Sequence, residues 1–124
     1  MKKPIIYIAG PISNMPNGNK EAFAEAAATL RAKGYEAINP HELHEGATDT
    51  SWEGYMKRDI PHLCTADAVA RLDNWEGSMG ARLELMLAGE LKIFSIRYDM
   101  LRNIEPQSLN DLIYTNKMAP VCTQ

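Results

Sequence analysis

The first rhythm along this 124-residue chain is an unbroken apolar run, PIIYIA at 4–9, closed by Gly10-Pro11. Such a run predicts a strand buried on both faces. A polar, turn-rich loop follows (SNMPNG, 13–18), and then the spacing changes. Phe23, Ala27 and Leu30 share one helical face, which predicts a helix capped by Asn19, running to about Lys33 and stopped by Gly34. Residues 35–38 predict a short second strand ending at Asn39-Pro40, and 41–51 a polar loop. Residues 52–63 predict a helix in which Pro61 introduces a kink or begins a separate turn. ADAVARL (66–72) and LKIFSI (91–96) predict third and fourth strands, with Arg71 an awkward charge near the end of the former. Residues 79–90 predict the helix between them, and 106–114 a short final helix.

Strands alternating with helices predict one compact, doubly wound α/β domain of the flavodoxin or Rossmann-like kind. Its parallel sheet has about four to five strands, with helices on both faces. In such sheets ligands bind beyond the carboxyl ends of the strands. This brings residues 10–18, 39–43 and 73–80 to one rim. One domain is also what the length allows, with a core over about residues 4–96 and a C-terminal segment, 97–124.

Composition adds little and excludes several classes. Apolar residues make up 45% and charged residues 23%, as in an ordinary soluble protein. No apolar run approaches the roughly 20 residues of a membrane span, and MKKPIIYIA is too short and too soon interrupted to be a signal peptide. A net charge of −3 gives no reason to expect binding to duplex nucleic acid. Cys64 and Cys122 lack metal-ligand spacing and read as free thiols of a reducing cytoplasm.

Candidate chemistry concentrates on the rim. Gly10 permits close backbone approach and Pro11 fixes the turn after the first strand, but neither a dinucleotide fingerprint nor a P-loop is present. Tyr7 is either core packing or a pocket wall. Ser78 caps the helix of SMGARLELMLA, leaving first-turn amides near Gly80 as a ready anion site or an ordinary helix start. Glu84, four residues after Gly80, shares its face; it is either a solvated helix charge or a carboxylate aimed into a pocket. Asp59 and Asp73 are candidate partners for it, or simply an ion-pair member beside Lys57 or Arg58 and a turn cap. HELHE (41–45) is not the zinc motif, because its histidines stand three apart rather than four. His41 and His44 read as loop residues, His41 with a minor chance of lining the pocket.

Four segments in order, YIAGPIS (7–13), INPHEL (38–43), YMKRDIPHLCTADAV (55–69) and NWEGSMGARLELMLA (74–88), resemble the nucleoside 2-deoxyribosyltransferase-like superfamily. The resemblance is to its phage and prophage branch of unknown function, related to deoxynucleoside 5′-monophosphate N-glycosidases. It implies cleavage of an N-glycosidic bond by a nucleophilic glutamate, here Glu84, through a covalent glycosyl-enzyme. It further implies that Asp59 binds the sugar or assists the leaving base, and that Ser78 helps hold a 5′-phosphate. Tyr7, Gly10 and Pro11 would shape the sugar and base pocket. No metal or cofactor is implied. A small nucleoside or nucleotide is the implied partner, and self-association as a dimer or larger ring is expected, with the segment 97–124 completing a neighbouring subunit's site. Asp73-Asn74 departs from the Pro-Gly turn common in the branch. The competing reading is a binding module that keeps the nucleotide pocket without turnover.

Overall fold

The computed structural model describes residues 2–118. Four parallel strands, β1 (Ile5–Ala9), β2 (Glu36–Ile38), β3 (Ala68–Arg71) and β4 (Phe94–Arg97), form one sheet in the order β2-β1-β3-β4. The chain leaves β1 for β2 on one side and later returns to its other side as β3. The crevice between the carboxyl ends of β1 and β3 is therefore the topological switch point, where open α/β sheets bind ligands.

Among the described residues six α-helices accompany the sheet: α1 (Lys20–Lys33), α2 (Pro40–Leu43), α3 (Trp52–Leu63), α4 (Met79–Glu90), α5 (Tyr98–Leu101) and α6 (Pro106–Met118). Alternation along the strands divides the core in two. Ile6, Ile8, Ala68, Ala70 and Ile96 face Phe23, Ala27 and Leu30 of α1, together with Leu101 and Leu109. On the opposite face Tyr7, Ala9 and Val69 meet Leu63 of α3 and Ala88 of α4. The first core thus reaches Leu109, past the expected limit near residue 96. The described part of the C-terminal segment thus contributes Leu101 and Leu109 to the core of the chain; what lies beyond 118, including Cys122, is outside the described residues.

Several local expectations change. Asn19 stands at the start of α1 but in a left-handed conformation with no side-chain cap, because a 3₁₀ turn over Pro16–Asn19 leads directly into the helix. The segment after β2 is not all loop: the Asn39 side chain accepts from the His41 amide at 3.0 Å and Pro40 takes the first helical position, which nucleates α2. Helix α3 runs unbroken through Pro61, near its end, starting from a Ser51 cap that accepts from the Gly54 amide. β4 begins at Phe94 rather than residue 91 because α4 needs room to end, with Lys92 at a φ of 61° and the Ile93 amide donating to Ala88. Arg71 does end a strand; it is half-buried, and its guanidinium donates to Ser95 Oγ at 2.8 Å. Among the described residues no helix is long and apolar enough to cross a membrane.

Candidate active site

Strand alternation turns the Tyr7 side chain towards α3 and α4, and it is fully buried there. Its hydroxyl donates to Glu84 Oε2. Glu84 lies in the middle of α4 and is 5% exposed; Asp59, on α3, is 4% exposed. Two acids and a phenol thus meet on one side of the β1–β3 crevice. Ser51 and Ser78 set the phase of the two helices: Ser78 Oγ accepts from the Ala81 amide at 3.2 Å, fixing where α4 starts and so where Glu84 points.

Burial dominates the electrostatics. Desolvation raises Glu84 to about 8, opposed by the Tyr7 hydrogen bond and assisted by the Asp59 charge. Desolvation likewise raises Asp59 to about 7, against the pull of the Arg58 charge and the Tyr7 hydroxyl. Tyr7 is driven well above its ordinary range, by burial first and then by Glu84 and Asp59, so it stays a donor. Near neutrality this cluster holds protons that exposed carboxyls would have released.

Asp59 and Glu84 line a cavity of about 40 Å³ together with Gly10, Ile12, Trp52, Tyr55, Met56, Ser78 and Gly80, while Tyr7, which holds Glu84, does not line it. Glycine is required at 10: a Cβ there would stand 2.8 Å from Cβ of Leu72, too close for β1 and the end of β3 to remain adjacent. At Gly80, where α4 lies against α3, a Cβ would make only ordinary contacts, with Met56 Sδ at 3.4 Å and Trp52 Nε1 at 3.5 Å. Pro11 is buried beside the cavity without lining it. Ile12 and Tyr55 also border a second cavity of about 460 Å³, lined by Lys20, His41 and His44. Ile12 and Tyr55 are thus walls common to both spaces.

The candidates do not all converge. His41 borders only the outer cavity; its Nε2 lies 2.8 Å from the Gly18 carbonyl, and its ring meets Phe23 edge-on. Asp73 is exposed and lines a separate trough of about 700 Å³ with Arg71, Trp75 and Arg97, away from Glu84. Asp59 makes no ion pair with Lys57 or Arg58. It faces His44 instead, whose Nε2 lies 3.0 Å from Asp59 Oδ1. The sequence reading left His44 in a loop, yet its side chain is only 9% exposed. The available signal was the Asn39-Pro40 helix start, which carries residue 44 back over α3. Among the described residues no group of three or more His, Cys, Asp or Glu side chains is arranged to hold a metal ion.

A profile of the family described as a domain of unknown function (DUF4406) matches residues 4–97, the span that contains every element of this cleft. The chain belongs to that family. Its fold is nucleoside 2-deoxyribosyltransferase-like. The solved 2-deoxyribosyltransferase of Bacillus psychrosaccharolyticus matches the DUF4406 chain with a TM-score of 0.63 and 21% identity, covering 85% of this chain and 95% of that one. That enzyme is described as a biocatalyst for the synthesis of antiviral and antitumoral nucleosides. No curated protein matches the chain.

Proposed function

We propose that this DUF4406 protein cleaves the N-glycosidic bond of a nucleoside or nucleoside 5′-monophosphate, releasing the base to water or exchanging it for another. The observation that carries the proposal is the burial of Glu84 and Asp59 around the Tyr7 hydroxyl at the β1–β3 switch point. A structural role gains little from two desolvated acids, whereas the two-carboxylate glycosidase mechanism requires them. The likeness to a 2-deoxyribosyltransferase supports the same chemistry.

The reactive form proposed is the one in which the proton retained by the two acids sits on Asp59: the Tyr7 hydroxyl holds Oε2 of the ionised Glu84, leaving Oε1 to attack C1′ of the sugar. The C1′–N bond breaks with its electron pair passing to the base nitrogen, and protonated Asp59 delivers a proton to the base. The new Glu84–C1′ ester is then opened by water, activated by the Asp59 carboxylate, or by an incoming base, with net retention at C1′. Ser78 and the amide end of α4 suit the 5′-oxygen or its phosphate. The inner cavity is far smaller than a nucleoside. The sugar would enter by displacing Trp52 or Ile12 while the base occupies the outer cavity. No step needs a metal or cofactor.

The proposed setting is intracellular, and we infer self-association through the exposed Met100, Leu112 and Tyr114 on α5 and α6. The deciding experiment incubates the protein with a panel of ribo- and deoxynucleosides and their monophosphates, with free base read by chromatography. Base release lost in Glu84→Gln is the expected result. A silent wild type that binds a nucleotide tightly, with Glu84→Ala still binding, would replace the enzyme by a non-catalytic binding module.

A further inference from the structure

We propose that His44 is a positioning residue for Asp59, held by Arg58 in the one neutral tautomer whose ring N–H faces the carboxylate. The inference about orientation stands on geometry alone; its consequence for turnover rests on the function proposed above.

The Arg58 Nε–H donates to His44 Nδ1 at 3.0 Å. A guanidinium has donors only, so Nδ1 must present its lone pair, and the single proton of the neutral ring falls on Nε2. That nitrogen lies 3.0 Å from Asp59 Oδ1. The approach is close but outside hydrogen-bond geometry, so both buried atoms are left without a hydrogen-bond partner among the described residues, each the nearest group that could satisfy the other. The ring cannot easily swing away, because it stacks on Tyr55 with centroids 4.2 Å apart and planes 19° from parallel. Arg58 is itself anchored: Nη2 donates to the Asp49 carbonyl at 2.7 Å, and the guanidinium carbon lies 5.3 Å above the Tyr55 ring centroid.

Charge keeps the ring neutral. A second proton would have to sit on Nδ1, directly against the guanidinium. The groups around the imidazole are Arg58, Asp59 and Tyr55 on α3 and His41 on α2, with Lys20 and Glu45 bordering the same outer cavity. Burial, then Arg58, then His41 push His44 down to about 4, in agreement with this geometry. The His44–Asp59 contact is therefore a neutral donor meeting a carboxyl, not an ion pair. An imidazolium would strip the proton from Asp59, whereas a neutral N–H orients Oδ1 and lets the carboxyl keep its proton on the other oxygen. In the proposed reaction that is the proton the departing base needs.

The test is ¹⁵N NMR of the imidazoles in the full-length protein, combined with ¹³C titration of the Asp59 carboxyl. His44 should show protonated Nε2 and bare Nδ1 from pH 8 down to about 5, with a mixture of tautomers in Arg58→Gln, and Asp59 should titrate higher in His44→Ala. His44→Gln, which keeps an N–H near the Nε2 position, should return Asp59 towards its wild-type titration. An imidazolium at pH 6–7, the opposite tautomer, or an Asp59 titration unmoved in a folded His44→Ala would overturn the proposal. If bases are released, His44→Ala should lower kcat by up to about a hundredfold with KM little changed, and His44→Gln should restore most of it. A kcat within twofold of wild type would refute the effect on turnover. If no base is released by any form, the spectra still decide the orientation, so the two proposals fail separately.

Discussion

Two hollows lie on the α4 side of the sheet, and they behave oppositely. The trough at the ends of β3 and β4 measures about 700 Å³ and carries Arg71, Asp73, Glu76 and Arg97, with both acids exposed. The cavity at the end of β1 measures about 40 Å³ and carries Asp59 and Glu84, both nearly inaccessible. Adjacent residues of one helix divide them: Glu84 faces the small space and Leu85 the large one. Volume is thus a poor guide to chemistry here. Asp73 stands in water, whereas the exclusion of water at Glu84 raises that acid to about 8 and creates a group suited to proton and nucleophile chemistry.

The two hollows should differ most at Glu84, the proposed nucleophile. Glu84→Gln should reduce base release by at least about 10⁴-fold, the scale of losing a covalent catalyst, while Asp73→Asn should change it by no more than about twofold. Equal losses in both variants, measured by chromatography of free base, would mean that the site spans both hollows.

Asp59→Asn should have the next largest effect. The expected loss is about 10²- to 10³-fold, the usual worth of a general acid. Burial raises Asp59 to about 7 and Glu84 to about 8, so kcat/KM should follow a narrow bell over that range. Asp59→Asn should lose the alkaline limb, because no acid then remains to be deprotonated. Base analogues that leave without protonation should be the least affected.

The smallest effect is on stability and has a defined sign. Glu84 is raised in the fold to about 8, above the roughly 4.3 of an exposed glutamate. Between those values the folded state binds a proton that the unfolded state does not, so stability is full below the lower value and falls as pH rises towards the upper one. Asp59 acts in the same direction over its own lower window, ending near 7. Glu84→Gln removes the titration while retaining an oxygen that accepts from Tyr7. Thermal unfolding should therefore find the variant more stable than wild type by roughly 2 kcal/mol at pH 8.5, with the gap shrinking at pH 5.5.

The strands and the longer helices were legible because their signals are local. PIIYIA is β1 with one residue trimmed, and 79–90 is α4 at its expected bounds. α2 was missed although Asn39-Pro40 announces it, because a four-residue helix has no hydrophobic period to read. Within the site, spacing placed Ser78, Gly80 and Glu84 on one helix, but left Glu84 as either a solvated charge or a pocket group. Its burial depends on α3 lying alongside, where Gly80 meets Met56 and Trp52. Nothing within residues 78–90 specifies that contact.

The sequence by itself determined the class of fold, the order of its elements and which residue types reach the carboxyl rim, since periodicity and turn chemistry act over a few residues. Tertiary structure alone decided which of those residues share a cavity. It brought together Tyr7, Asp59 and Glu84, 77 positions apart at the extremes, set Asp73 in another hollow, and turned His44 from a loop residue into the neighbour of Asp59. The physical reason is desolvation: an acid's chemistry depends on how much water surrounding chain segments exclude, and that exclusion exists only once distant elements pack.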